Sequence, residues 1–105
     1  MPRIAFKLRI KQGAIKDYEE AHRHVWPELL AKGKEAGVSD FSIFRRGHDL
    51  FLCMRVIDVD RTFDMLDKDP VNARWQKEMS RFLEPVPDLR PDEPFAMMKE
   101  IFYME

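Results

Sequence analysis

The stretch SDFSIFRRGHDLFLCMRVI, Ser39 to Ile57, reads as two strands placed back to back. SDFSIFRR (39–46) and LFLCMRVI (50–57) are rich in aromatic and branched side chains, and Gly47-His48-Asp49 between them supplies a turn, so the pair is expected to form a hairpin. What flanks that hairpin decides the rest of the fold. Upstream, residues 3–11 alternate: Ile4, Phe6, Leu8 and Ile10 point one way, Ala5, Lys7, Arg9 and Lys11 the other, the pattern of a half-buried strand that Gly13 ends. A helix is expected next, from Ala14 to Ala36, with Gly37 stopping it. Downstream, residues 60–69 predict a short helix and 70–84 a second one, with Pro70 in its first turn. EPVPDLRPDEP (84–94) holds four prolines in eleven residues and reads as an ordered loop. FAMMKEIFYM (95–104) reads as a closing strand. The order is therefore β-α-β-β-α-β, an α+β chain of the ferredoxin-like, split βαβ kind, with helices on one face of a four-stranded sheet.

The totals agree with one such domain over residues 1–105. Hydrophobic residues make up 45% and charged residues 35%, neither a disordered nor a membrane composition. A formal net charge of −1 offers no long-range attraction for nucleic acid or anionic lipid. No apolar run approaches the roughly 18 residues of a spanning helix, and MPRIAFKLRIKQG alternates apolar and basic residues instead of forming a signal-peptide core. Cys53 is the single cysteine, which suits a reducing, cytoplasmic setting. Neighbouring apolar pairs (Phe51 and Leu52, Met97 and Met98, Ile101 and Phe102) put hydrophobic groups on both sheet faces. A second copy of the chain is the simplest cover for the face without helices, so a homodimer is expected.

Chemistry concentrates in YEEAHRHVWPEL, residues 18–29. At roughly 100° per residue, Tyr18, His22, Val25, Trp26 and Leu29 fall within an arc of about 140°, with His22 near its middle and His24 on the solvent side. An inward histidine is either a hydrogen-bonded core residue or an acid–base group in a pocket. Tyr18 and Trp26, one turn to either side, make a wall with polar tips, the lining of a small-molecule site. Pro27 is expected to kink this helix, since Trp26 is a poor N-cap for a fresh start. On the second long helix Val71, Trp75, Met79 and Phe82 share an inner stripe that also takes in Glu78. That carboxylate either reaches an edge and pairs with Arg74 or Arg81, or faces the pocket. His22 and His24 lie about 160° apart, and His48 and Cys53 lack ligand spacing, so no metal site is expected. There is no glycine-rich phosphate loop and no nucleophile elbow.

Y-x-x-x-H-x-x-x-W-P-E-L (Tyr18, His22, Trp26, Pro27, Glu28, Leu29), R-W-x-x-x-M (Arg74, Trp75, Met79) and the terminal E-I-F-Y (Glu100 to Tyr103) together resemble the L-rhamnose mutarotases. The resemblance implies a dimeric α+β barrel of ferredoxin-like protomers. It further implies an isomerase, an aldose 1-epimerase that exchanges the α and β anomers of a 6-deoxy sugar without cofactor or metal. On that resemblance His22 matches the acid–base histidine, Tyr18 a sugar-contacting tyrosine, and Trp75 the first of two tryptophans lining the sugar. Phe41 stands where the family has a second sugar-contacting tyrosine, and Gln76 where it has the second tryptophan. Trp26, Met79 and Glu78 are further candidates for the pocket wall. The expected substrate is thus L-rhamnose or a related 6-deoxy aldose such as L-fucose. Two other readings stay open on the residues alone: a sugar-binding module without turnover, and a haem or small-molecule enzyme on the same barrel.

Overall fold

The structure, a computed structural model, describes residues 2–105. Its elements run β1 (Arg3–Ile10), α1 (Ile15–Arg23), α2 (Pro27–Glu35), β2 (Val38–Arg46), β3 (Asp49–Val56), α3 (Val59–Lys68), α4 (Pro70–Ser80), β4 (Leu83–Glu84) and β5 (Ala96–Met98). The antiparallel sheet has the order β2-β3-β1-β4, and β5 pairs with the same edge of β1 as β4. This is the α+β, ferredoxin-like arrangement, with the hairpin strand β3 lying between β2 and β1.

Strand alternation divides the sheet into two faces. Phe6 opposes Leu52 and Leu8 opposes Leu50, so these side chains share the helix-covered face. There Ile10, Leu50 and Val56 are completely buried among Tyr18, Trp75, Met79 and Phe82. Each such aliphatic side chain contributes about 1.5–3 kcal/mol by leaving water. The opposite face carries Ala5, Lys7 and Arg9 of β1 against Cys53, Phe51 and Asp49 of β3, with no helix over it.

The long first helix is not kinked; it is two helices. Pro27 denies its N–H to the ladder and also excludes Trp26 from the helical region. Trp26 accordingly adopts φ −59°, ψ 126°, and its carbonyl caps the new helix by accepting from Leu29 N and Leu30 N at 3.0 and 3.2 Å. The preproline restriction outweighs the lack of a capping side chain. The later helices have the caps that α2 lacks. Asp58 accepts from Arg61 N, and Asp69 from both Val71 N and Asn72 N. Buried Thr62 donates to Ala36 O at 2.6 Å, tying α3 to the end of α2.

The chain after α4 also differs from expectation. The helix stops at Ser80, because Leu83 and Glu84 leave it to pair with Ile10 and Arg9. The expected ten-residue closing strand shrinks to Ala96–Met98. Its register sets Ala5 against Met98, so β1 is used up where Arg3 meets Glu100, and residues 101–105 run past the sheet. Among the described residues, no helix is long and apolar enough to cross a membrane.

Candidate active site

Tyr18 and His22 lie one turn apart on the inward side of α1, with ring centroids 4.3 Å apart. His22 Nδ1 sits 2.9 Å from the carbonyl oxygen of Tyr18. A carbonyl can only accept, so Nδ1 carries a proton, and in the neutral ring the lone pair falls on Nε2. The helix itself thereby fixes the tautomer and points one nitrogen away for chemistry.

Helix α4 brings the indole of Trp75 edge-on to His22, at 5.4 Å and 82°. Trp26, set by the break before Pro27, meets Trp75 in turn at 5.1 Å and 84°. Tyr18, His22, Trp75 and Trp26 thus form one chain of rings between α1, α4 and the α1–α2 junction. Trp75 and Met79 are buried, whereas His22 and Trp26 are half-buried and reachable.

Burial pushes the Tyr18 phenol up to about 12. The phenol therefore stays protonated, a neutral hydroxyl on the inward side of α1. Glu19, next along α1, is matched by Arg45 of β2 at 2.7 Å.

The other candidates spread around this group unequally. Phe41 lies inside the irregularity of β2 between Ser39 and Ser42, where Asp40 takes φ 49°, and is 47% exposed. Bulges of this kind re-aim side chains near sites. Gln76 is exposed and donates to Asn72 Oδ1 at 3.4 Å along its own helix. Glu78 is also exposed and pairs with Arg81 at 2.8 Å, the edge pairing of the two arrangements open to it. His24 points to solvent beside Glu20. One contact escaped sequence reasoning. Arg74 bridges to Glu28 at 3.6 Å and lies 6.0 Å from the Trp26 ring, clasping the start of α2 to α4. No spacing rule links positions 28 and 74; only the packing of the two helices does. Clefts of about 440 and 100 Å³ meet at Gly37 and Ile57, and neither is lined by a histidine or an aromatic ring, so they are not this site.

The arrangement offers a half-buried base, a neutral phenol donor and two indole faces, which suits a polar ring compound bearing hydroxyls. Comparison with known proteins points the same way. The family model described as L-rhamnose mutarotase matches residues 3–104. L-rhamnose mutarotase of Acidiphilium cryptum is 32% identical over 99% of both chains, and that of Phocaeicola vulgatus is 33% identical over the whole of both. The crystal structure of L-rhamnose mutarotase from Formosa agariphila superposes with a TM-score of 0.81 at 31% identity, covering 100% of each chain. Tetracenomycin F2 cyclase of Streptomyces glaucescens, a polyketide cyclase, is similar in fold alone, with a TM-score of 0.68 at 18% identity.

Proposed function

The chain belongs to the L-rhamnose mutarotase family, and from that premise we propose how its residues exchange the anomers of L-rhamnose or a related 6-deoxy aldose such as L-fucose. The activity is that of an isomerase. Anomer exchange removes a proton from the C1 hydroxyl, delivers one to the ring oxygen, lets C1 rotate in the open aldehyde, and recloses with the roles reversed. His22 Nε2 takes the first proton, since Nδ1 is committed to the Tyr18 carbonyl. The imidazolium passes that proton to the ring oxygen as the C1–O5 bond breaks, and on closure the order reverses: Nε2 takes the C5 hydroxyl proton as O5 attacks C1 and returns it to the carbonyl oxygen. Tyr18, kept neutral by burial, donates its hydroxyl to a sugar oxygen. Trp75 presents apolar surface to the C–H face of the sugar, with Trp26 behind it. Phe41 and Gln76 form the rim, the first giving apolar contact and the second an amide. Met79 floors the pocket, and Glu78, held by Arg81, stands outside the chemistry. No metal or organic cofactor enters this scheme. General acid–base help of roughly 10²–10⁴-fold suffices for a reaction that free sugars already undergo in water.

We further propose that residues 1–105 act as one mutarotase-like domain in the cytoplasm, paired with a second copy as a dimeric α+β barrel. Supporting the pairing is the helix-free face of the sheet, where Phe44 and Phe51 are 65% and 37% exposed.

The observation that carries the mechanism is the His22 Nδ1 to Tyr18 carbonyl contact inside the ring chain. Saturation-transfer NMR tests it: the protein is expected to accelerate α/β exchange of L-rhamnose or L-fucose. His22→Ala should return the rate to that of free sugar while circular dichroism stays unchanged. Full activity in His22→Ala would remove His22 from the chemistry. Sugar binding with no acceleration by the wild-type chain would instead indicate a binding module.

A further inference from the structure

Two links run side by side from the start of α2 to α4. The inner one is aromatic: Trp26 meets Trp75 edge-on at 5.1 Å. The outer one is ionic: Glu28 Oε1 lies 3.6 Å from Arg74 Nη2. Trp26 and Glu28 straddle Pro27, and Arg74 directly precedes Trp75. Consecutive side chains leave a helix about 100° apart, so Trp75 turns inward while Arg74 keeps its charge in water. Glu78, one turn along α4 from Arg74, is taken by Arg81, which leaves Arg74 to Glu28. The Arg74 guanidinium also lies 6.0 Å from the Trp26 ring centroid, so one cation faces a carboxylate and an indole of the same junction.

Little else holds this end of α2. The helix has no buried residue, and no side chain caps its first turn. Its far end is secured differently: Ala36 is buried and its carbonyl accepts from Thr62. The first turn therefore takes its direction from the packing of Trp26 and Leu29 and from the Arg74–Glu28 pair. An exposed ion pair contributes little to global stability. Its leverage is local. The residue it steadies, Trp26, abuts Trp75, which in turn stands 5.4 Å from His22. A displacement of the α2 start passes along two ring contacts to the imidazole, where small misplacements cost rate.

We propose that Arg74 and Glu28 are positioning residues for anomer exchange: their ion pair seats Trp26 on Trp75 and so holds Trp75 against His22. This rests on the His22 mechanism above and adds the two charges that keep its aromatic wall in place. Trp26 and Trp75 are the only tryptophans in the chain, so a coupled-indole band in circular dichroism reports their contact alone. Arg74→Met and Glu28→Gln should each weaken that band and lower kcat for L-rhamnose exchange about fivefold, with KM held. Urea midpoints should barely move, as befits an exposed pair. Reversing both charges, Arg74→Glu with Glu28→Arg, should recover band and kcat relative to either reversal alone. Lys68→Met, which removes the similarly exposed Lys68–Asp64 pair of α3, should change neither. Unchanged band and kcat in both single variants overturn the proposal, and so does a fall in kcat with the band intact. A raised KM at constant kcat overturns it too, by making the altered residue a sugar contact. If the wild-type chain leaves exchange at the free-sugar rate, the His22 mechanism fails on its own, and the band still decides whether the pair seats Trp26.

Discussion

Tyr18 is the residue whose environment sets the clearest pH signature. Its phenol is pushed up to about 12 by burial, against about 10 in an unfolded chain. Below pH 10 both states hold the proton and nothing is lost. Between about pH 10 and 12 the unfolded chain releases a proton that the folded one keeps, so stability falls as pH rises, by on the order of 2–3 kcal/mol. Urea midpoints are expected to drop between pH 9 and 11.5 in the wild-type chain and to drop less in Tyr18→Phe. Equal drops would show that the phenol titrates as freely in the fold as out of it. At this scale the sequence was informative about direction and silent about contact. Helical spacing turns His22 inward and His24 outward. It does not reveal that His22 Nδ1 meets a carbonyl, because a ring nitrogen four residues on can equally face a side chain or water.

Among the elements, the junction of α1 and α2 bears most on the proposed mechanism. The break before Pro27 drops Trp26 against Trp75, and Arg74 with Glu28 holds that junction to α4. On the proposed mechanism Trp26 reaches His22 only through Trp75 and acts as a positioning residue. Trp26→Ala is expected to lower the exchange rate at saturating sugar by about tenfold, the scale of a small misplacement, with little change in KM. Trp26→Phe should restore most of it. A raised KM at unchanged kcat would place Trp26 directly on the sugar. Strand and helix positions were legible from alternation and from Gly13, Gly37 and Pro70, since those signals are local. The two-helix break was misjudged because capping preference was weighed above the preproline restriction, and the backbone geometry of Trp26 shows which prevails.

For the whole molecule, the proposed pairing of copies over the open sheet face couples stability to association. If copies pair, the folded state is favoured by mass action, and a tenfold rise in protein concentration adds about 1.4 kcal/mol to the apparent stability. The thermal midpoint should climb with concentration in the wild-type chain and stay flat in Phe44→Asp, which puts a charge on the exposed aromatic pair of that face. A flat midpoint in the full chain would count against pairing. The order β-α-β-β-α-β, the inward histidine and the two-faced sheet could all be read in advance. Each follows from periodicity and turn residues a few positions apart. The length of the last strand, the contact of Trp26 with Trp75 and the pairing of Arg74 with Glu28 could not. They depend on where β1 runs out of partners and on how helices distant in the chain come together, and only the packed fold sets those distances.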